Sequence, residues 1–168
     1  MSRKLLAIAA LSLATSTFAQ DFGYTKNALY GGFGFTEGGF SLGVDYEYTG
    51  HRDFGFGGYA RIYPKDDSGT LRKEGVTTFG AFVRPHFNKK AWDFYVSPGL
   101  AIISISSIYS SNPGDATTLG PSLALGLLYE INSNVALGIE NMRTWVWFDN
   151  DWRGLRIDDL MFKFRVAF

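Results

Sequence analysis

No cysteine occurs in the sequence. That single absence excludes disulfides, thiolate metal sites and cysteine nucleophiles together, and it leaves the redox compartment open. Net charge is missing as well, because 16 Lys and Arg balance 16 Asp and Glu. Without a basic tail or a basic excess, a general electrostatic attraction to nucleic acid or acidic polymers is excluded. Histidine is scarce, with only His51 and His86 in the chain. Beyond the first twenty residues there is no long apolar run, which excludes a helical membrane protein on hydropathy. Aromatic residues, in contrast, make up 17% of the chain and accompany 20 glycines. Phe and Tyr favour strands, and 168 residues fit one domain.

The chain opens with "MSRKLLAIAALSLATSTFAQ". Basic Arg3 and Lys4, an apolar run from Leu5 to about Ala14, and small Thr17 and Ala19 ahead of Gln20 have the order of a secretory signal peptide. An uncleaved anchor is the alternative, but an apolar run of about ten residues is too short for a helical span of roughly 20. The expected division is therefore a cleaved signal over 1–19 and a mature domain over 20–168, which has 168 − 19 = 149 residues. Losing Arg3 and Lys4 leaves 14 basic and 16 acidic residues, a net charge of 14 − 16 = −2.

From Ala28 onward the hydropathy alternates with period two, the strand signal. Eight runs are predicted, at Ala28–Thr36, Phe40–Tyr48, Phe54–Tyr63, Val76–Phe87, Trp92–Ser104, Leu119–Glu130, Val135–Trp147 and Leu155–Phe168. Each is of the length a tilted strand needs to cross a bilayer, and the even number allows closure with both ends on one side. The connections "YTGHRD", "NKKA" and "INSN" read as short turns, whereas "PKDDSGTLRKEG", "SSIYSSNPGDATT" and "DNDWRG" read as longer polar loops. Short turns on one side and long loops on the other are the pattern of an outer-membrane barrel. The first hairpin, "TEGG", is short where a long loop is expected.

The two faces of each run separate cleanly. In the last run Leu160, Phe162, Phe164, Val166 and Phe168 alternate with Asp159, Met161, Lys163, Arg165 and Ala167. The second run sets Phe40, Leu42, Val44 and Tyr46 against Ser41, Gly43, Asp45 and Glu47. A soluble, lipocalin-like barrel would turn the apolar row inward. Eight strands leave an interior only just wide enough for side chains, which five large residues per strand would overfill, whereas glycine beside Arg and Tyr fits. The apolar row is therefore expected to face lipid. There, an Arg or Lys near the midplane costs about 2–4 kcal/mol. The seventh run breaks the pattern, because Val135, Leu137 and Ile139 put Asn141 and Arg143 on the lipid side. A bulge near Glu140 or Asn141 would restore it, placing Met142 outside and Arg143 inside. Tyr109, Trp145, Trp147 and Trp152 are expected to form an interfacial aromatic girdle, with ordinary packed aromatics as the alternative.

With its signal peptide, eight alternating strands, short turns and terminal Phe168, the sequence resembles the small eight-stranded outer-membrane barrels of Gram-negative bacteria, the OmpA-domain, OmpX-like and opacity-protein-like group. The resemblance spans the whole mature chain. It implies an all-β, antiparallel, up-and-down transmembrane β-barrel in the bacterial outer membrane. It also implies that Leu160, Phe162, Phe164, Val166 and Phe168 form a C-terminal insertion signal read by the barrel-assembly machinery. The partners implied are that machinery and periplasmic chaperones during biogenesis, then outer-membrane lipid and lipopolysaccharide, with the chain itself a monomer. No cofactor and no metal are expected.

The inward rows carry Asp45, Glu47, Arg61, Arg84, His86, Glu140, Asp159, Lys163 and Arg165, a nearly balanced set of charges. Buried charges have to be paired, so this set is expected to form a salt-bridged plug, and the protein to have a structural or surface-interaction role. A narrow pore is the alternative. A lipid A-modifying enzyme is the other, since deacylases and palmitoyltransferases on this fold pair Ser or His with a carboxylate. His51 in a turn and His86 at the turn end of its strand lie away from the loop side where such enzymes work, so no enzymatic activity is expected. "PGDATT" and "PKDDSG" lack calcium-loop spacing, and "GGFGF" lacks the helix of a phosphate-binding turn.

Overall fold

A computed structural model of the chain describes residues 26–36, 39–51, 53–64, 75–106, 115–149 and 151–168. The signal segment 1–19 and Tyr109 lie outside the described residues. Eight antiparallel strands form a closed barrel in chain order: β1 (Asn27–Thr36), β2 (Gly39–His51), β3 (Phe54–Tyr63), β4 (Gly75–Lys89), β5 (Trp92–Ser106), β6 (Ala116–Glu130), β7 (Val135–Trp145) and β8 (Arg156–Ala167). The largest departures from the predicted boundaries are the end of β2, which runs on from Tyr48 to His51, and the start of β6. Thr117 and Thr118, read from sequence as loop, extend the ladder by pairing with Ser104 and Ile103. Closure comes from β1 against β8, where Phe33 faces Phe162 and Thr36 faces Asp159. At the turn end Phe168 N–H donates to the Asn27 carbonyl at 2.8 Å, and Asn27 N–H returns the bond at 3.2 Å.

The registers determine the barrel's dimensions. From Ala28 the cross-strand pairs lead through Glu47, Gly57, Phe82, Gly99, Ser122 and Thr144 to Ile157. Because Asp159 faces Thr36, Ile157 stands two residues past Thr36, and the circuit climbs 36 + 2 − 28 = 10 residues along β1. At about 3.4 Å per residue and about 4.8 Å between strands, that offset requires a tilt of roughly 40°.

Side chains sort by face along every strand. Large apolar residues line the outside, among them Phe35, Leu100 at 69% exposure and Phe162 at 53%. A continuous apolar surface of this extent belongs in lipid rather than water, which removes the lipocalin-like alternative. The inner row is small, aromatic or charged. Glycine recurs opposite the largest inner side chains: a Cβ at Gly126 would collide with the Tyr95 ring, and one at Gly43 would stand 2.6 Å from Arg61 Cδ.

The inside is layered. At the loop end Tyr63, Val76, Ile103, Ile105, Val146 and Ile157 form an apolar cluster, with Trp152 and Leu155 of the β7–β8 connection packed on it. At the turn end Ala28, Tyr30, Tyr95, Leu128, Ala136 and Ala167 form a second cluster. Arg61, Glu140 and Lys163 lie between the two, whereas Glu47, Asp93, Glu130 and Arg165 stand beside the turn-end cluster, paired in register with Ala28, Leu128 and Ala136.

The bulge expected in β7 is absent. Pairing runs without a shift from Val135 to Trp145 against β8, and from Ala136 to Thr144 against β6. Met142 is therefore buried inside, while Asn141 and Arg143 point outward. The register shift the barrel does contain lies between Thr49 and His51 in β2. No correction of β7 is needed, because Arg143 sits near the loop end of its strand, where an outward charge costs only about 0–1 kcal/mol, and its guanidinium pairs with Asp158 on the neighbouring strand.

A closed barrel of this kind should migrate at different positions on a detergent gel before and after boiling. Ile139 lies farther from the loop end on the same outer row and is 45% exposed. Ile139→Arg should lower the unfolding free energy in lipid vesicles by about 2–4 kcal/mol, measured by urea titration.

Candidate functional site

The inner row converts the period-two alternation into one connected polar assembly. β2 contributes Asp45 and Glu47, β3 Arg61, β4 Arg84 and His86, β7 Glu140, and β8 Asp159, Lys163 and Arg165. The structure brings eight of these nine into a single network. At its centre Asp45 accepts from three cations: Arg61, Lys163 Nζ at 2.7 Å and Arg84 Nη2 at 3.2 Å. Glu140 on the far wall accepts from Arg61 Nη2 at 2.7 Å and lies 3.2 Å from Lys163 Nζ. Neither carboxylate is exposed to solvent.

From the centre the network descends toward the turn end. Arg84 Nη1 donates to Glu47 Oε2 at 2.9 Å, and its Nε donates to Ser97 Oγ at 2.6 Å. The Arg84 guanidinium is also enclosed by aromatic rings, with its carbon 4.1 Å from the Phe82 centroid, 4.3 Å from Tyr95 and 4.8 Å from Tyr30. Such stacking suits a planar, weakly hydrated cation and would not suit lysine equally. His86 lies between two carboxylates, with Nε2 2.6 Å from Glu47 Oε1 and Nδ1 2.9 Å from Asp93 Oδ2. Arg165 then links Asp93 Oδ2 at 3.5 Å to Glu130 Oε1 at 2.9 Å, at the end of β6.

Asp159 stands apart from this network. Tyr63 Oη donates to its Oδ2 at 2.9 Å, its Oδ1 finds no hydrogen-bond donor among the described residues, and no described cation pairs with it. It lies below the apolar cap, above the point where the ion pairs begin.

Several members of the assembly were not picked out from sequence. Asp93, Glu130 and Ser97 complete it, and Tyr30 and Tyr95 donate to Glu47 Oε2 at 2.8 Å and Glu140 Oε2 at 2.7 Å. The signal for three of them was available: in "WDFYVS" from Trp92, Asp93, Tyr95 and Ser97 share one row. Among the described residues a small cavity of about 10 Å³ lies between Tyr59, Arg61, Arg84, Ser97, Ser122 and Glu140, about the space of a single water.

The expected girdle divides. Trp145 is half-buried at the loop end of β7, and Trp147 is 59% exposed just beyond it. Trp152 departs from the girdle: Asp149 Oδ1 accepts its backbone N–H at 2.8 Å, folding the loop back so that the indole packs on the lumen's apolar cap. Aromatic pairs gather instead at the turn end, where Trp92 meets Tyr129 at 5.1 Å and Phe87 meets Phe94 at 5.9 Å. Leu160, Phe162, Phe164, Val166 and Phe168 all lie on the outer row.

Catalytic geometry is lacking around His86. Carboxylates face both ring nitrogens, which leaves neither positioned to accept a proton from a hydroxyl nucleophile. Among the described residues no set of three His, Asp or Glu side chains could hold a metal ion.

The profile of a known family, described as the outer membrane protein beta-barrel domain, matches residues 5–168. No curated protein matches the sequence. Solved structures do match in fold. The Neisserial surface protein A, NspA, aligns with a TM-score of 0.65 at 19% identity, over 84% of this chain and 94% of its own. The N-terminal beta-barrel domain of Pseudomonas aeruginosa OprF gives 0.65 at 17% identity, over 84% and 98%. The outer membrane enzyme PagL gives 0.53 at 11% identity, over 84% and 99%. At these identities the likeness is one of fold.

If the ion pairs hold the inner row together, removing one partner should leave a buried charge uncompensated. Arg61→Met, which leaves Asp45 and Glu140 to share Lys163 with one buried negative charge in excess, should lower stability by about 3–5 kcal/mol, and adding Glu140→Gln should recover part of that loss. Equilibrium unfolding of both variants in lipid vesicles measures the difference.

Proposed function

This chain belongs to the outer membrane protein beta-barrel family, and we propose that it serves the bacterial outer membrane as a closed barrel with a structural or surface-interaction role, neither conducting solutes nor catalysing a reaction. The observation that carries this reading is the filled lumen. Among the described residues ion pairs run from Asp45 and Arg61 to Arg165 and Glu130, an apolar cluster caps the loop end, and a small cavity between them holds about a single water. A pore would need a continuous wet path, and the Arg, Tyr and Ile side chains filling the inside of eight strands speak against one. An acyl-transferring or hydrolysing site would need an activated nucleophile, and His86 is committed to Glu47 and Asp93. What the protein offers its surroundings is then its outer wall and its loops.

Biogenesis follows from the same architecture. The outer row of β8, ending at Phe168, is the segment we assign to recognition by the barrel-assembly machinery, after periplasmic chaperones have kept the apolar rows from aggregating. A barrel closed by β1 on β8 has no free strand edge to pair with a second copy, which supports a monomer.

In a planar bilayer the purified protein should give no discrete conductance steps; regular steps whose size changes in Arg61→Ala or Arg165→Ala would establish a channel instead. Overexpression should leave the lipid A mass spectrum unchanged, and a mass change that disappears with His86→Ala would establish an enzyme. Deleting Phe168, or replacing it with Asp, should reduce the heat-shifted, membrane-inserted fraction far more than a single loop substitution does.

A further inference from the structure

Two of the chain's prolines, Pro85 and Pro98, stand on the two sides of one seam of the wall. β4 pairs with β5 from Gly75–Ser106 to Phe82–Gly99, and again from His86–Tyr95 to Lys89–Trp92. Continuing the first stretch sets Val83 against Pro98, Arg84 against Ser97 and Pro85 against Val96, and the next pair is His86–Tyr95, so no bulge separates the two stretches. Backbone directions around the gap follow from its flanks, because successive residues of a strand turn their N–H groups to opposite neighbours. His86 N–H donates to the Asp53 carbonyl on the β3 side at 2.9 Å, so the Pro85 nitrogen points toward β5. The Ala91 carbonyl accepts from Glu130 N–H of β6 at 2.7 Å, so the Pro98 nitrogen, an odd number of residues along, points toward β4. Proline has no N–H to give. The seam therefore lacks two donors in succession, and the carbonyls of Val96 and Val83 opposite them receive no ladder bond. Lipid offers them no substitute.

Side chains close this gap from the inside. Arg84 and Ser97 face each other within it, and Arg84 Nε donates to Ser97 Oγ at 2.6 Å. Just below, His86 Nδ1 lies 2.9 Å from Asp93 Oδ2, a second tie from β4 to β5. Arg84 is held in turn by Glu47 and Asp45 of β2, so the Ser97 contact fastens β5 to the centre of the lumen. The small cavity lies directly behind the gap. Phe82, Arg84 and Ser97 line it together with Arg61, whose Nε has no acceptor among the described residues.

We infer that the β4–β5 seam between Phe82 and His86 is a built-in line of local opening, latched from the lumen by Arg84 on Ser97 and by His86 on Asp93, through which water reaches the polar interior while the rest of the barrel stays closed. Local opening takes place where backbone bonds are fewest. The β1–β8 closure, paired without a break from Ala28–Ala167 to Thr36–Asp159, remains shut. Brief opening of one seam makes no continuous path along the axis, so this property goes beyond the closed-barrel role and does not replace it.

Backbone amide hydrogen exchange of the refolded barrel in lipid nanodiscs, read by NMR, tests the inference. Val83 and Val96 N–H groups point into the seam, whereas those of Arg84 and Ser97, adjacent in sequence and equal in height, point into the seams on either side. After correction for intrinsic rates, Val83 and Val96 should exchange about tenfold faster than Arg84 and Ser97. Pro98→Val, an outward substitution that returns a donor to the Val83 carbonyl, should remove most of that difference. Ser97→Ala, which releases the latch, should speed exchange at Val83 by a further factor of about three and leave the amides of the β1–β8 closure unchanged. The heat-shifted gel band reports barrel formation in each variant. Equal protection of the four wild-type amides would overturn the opening line, as would a difference that survives Pro98→Val. An unaltered Val83 rate in Ser97→Ala would overturn the latch. Equally fast exchange along all strands of a protein with a normal heat shift would assign the exchange to opening of the whole barrel instead.

Discussion

Closing eight strands on themselves with a ten-residue offset leaves an interior barely wide enough for its own side chains, and that narrowness governs the rest of the structure. Most of the described inward side chains are buried, so few can rely on bulk water. A charge placed there has to meet an opposite charge or a hydrogen-bond donor, as Asp159 meets Tyr63, to offset the desolvation cost. Asp45 meets three cations, Glu140 meets Arg61 and Lys163, and Glu47 is shared by Arg84, His86 and Tyr30. Space is equally constrained, which is why glycine stands beside Tyr95 and Arg61, where a methyl group would collide.

The same closure turns the apolar row outward. Pairing backbone donors and acceptors between neighbouring strands removes the polar edge that lipid would not tolerate. The apolar belt that results needs no water. Tolerance for charge on that belt depends on depth: the Arg143–Asp158 pair is cheap near the loop end and would be expensive at mid-height. The wall and the lumen thus obey one rule, that polarity is admitted where a partner or an interface meets it.

Much of this was legible in the sequence, and the misses are instructive. Period-two alternation revealed eight strands and the two rows, since a single-residue slip would exchange the faces of a whole strand. Applying a mid-membrane rule to a residue near the loop end produced the unneeded bulge at Glu140. Trp152 was placed in the girdle because indoles favour interfaces, but Asp149 folds the loop inward and the ring caps the lumen. Asp93 and Glu130 were overlooked because they sit beside turns, where a charge usually signals solvent. Only the closed circuit brings Arg165 within reach of both.

By itself, then, the sequence determined the class of fold, the number of strands, which side chains share a face and which face meets lipid, because all of these follow from local alternation and the cost of charge in hydrocarbon. Tertiary structure decided the partners. Lys163 reaches Asp45 across 118 positions of the chain, and Arg61 reaches Glu140 across 79. Those pairings depend on shear and tilt, quantities of the closed barrel that no single strand encodes.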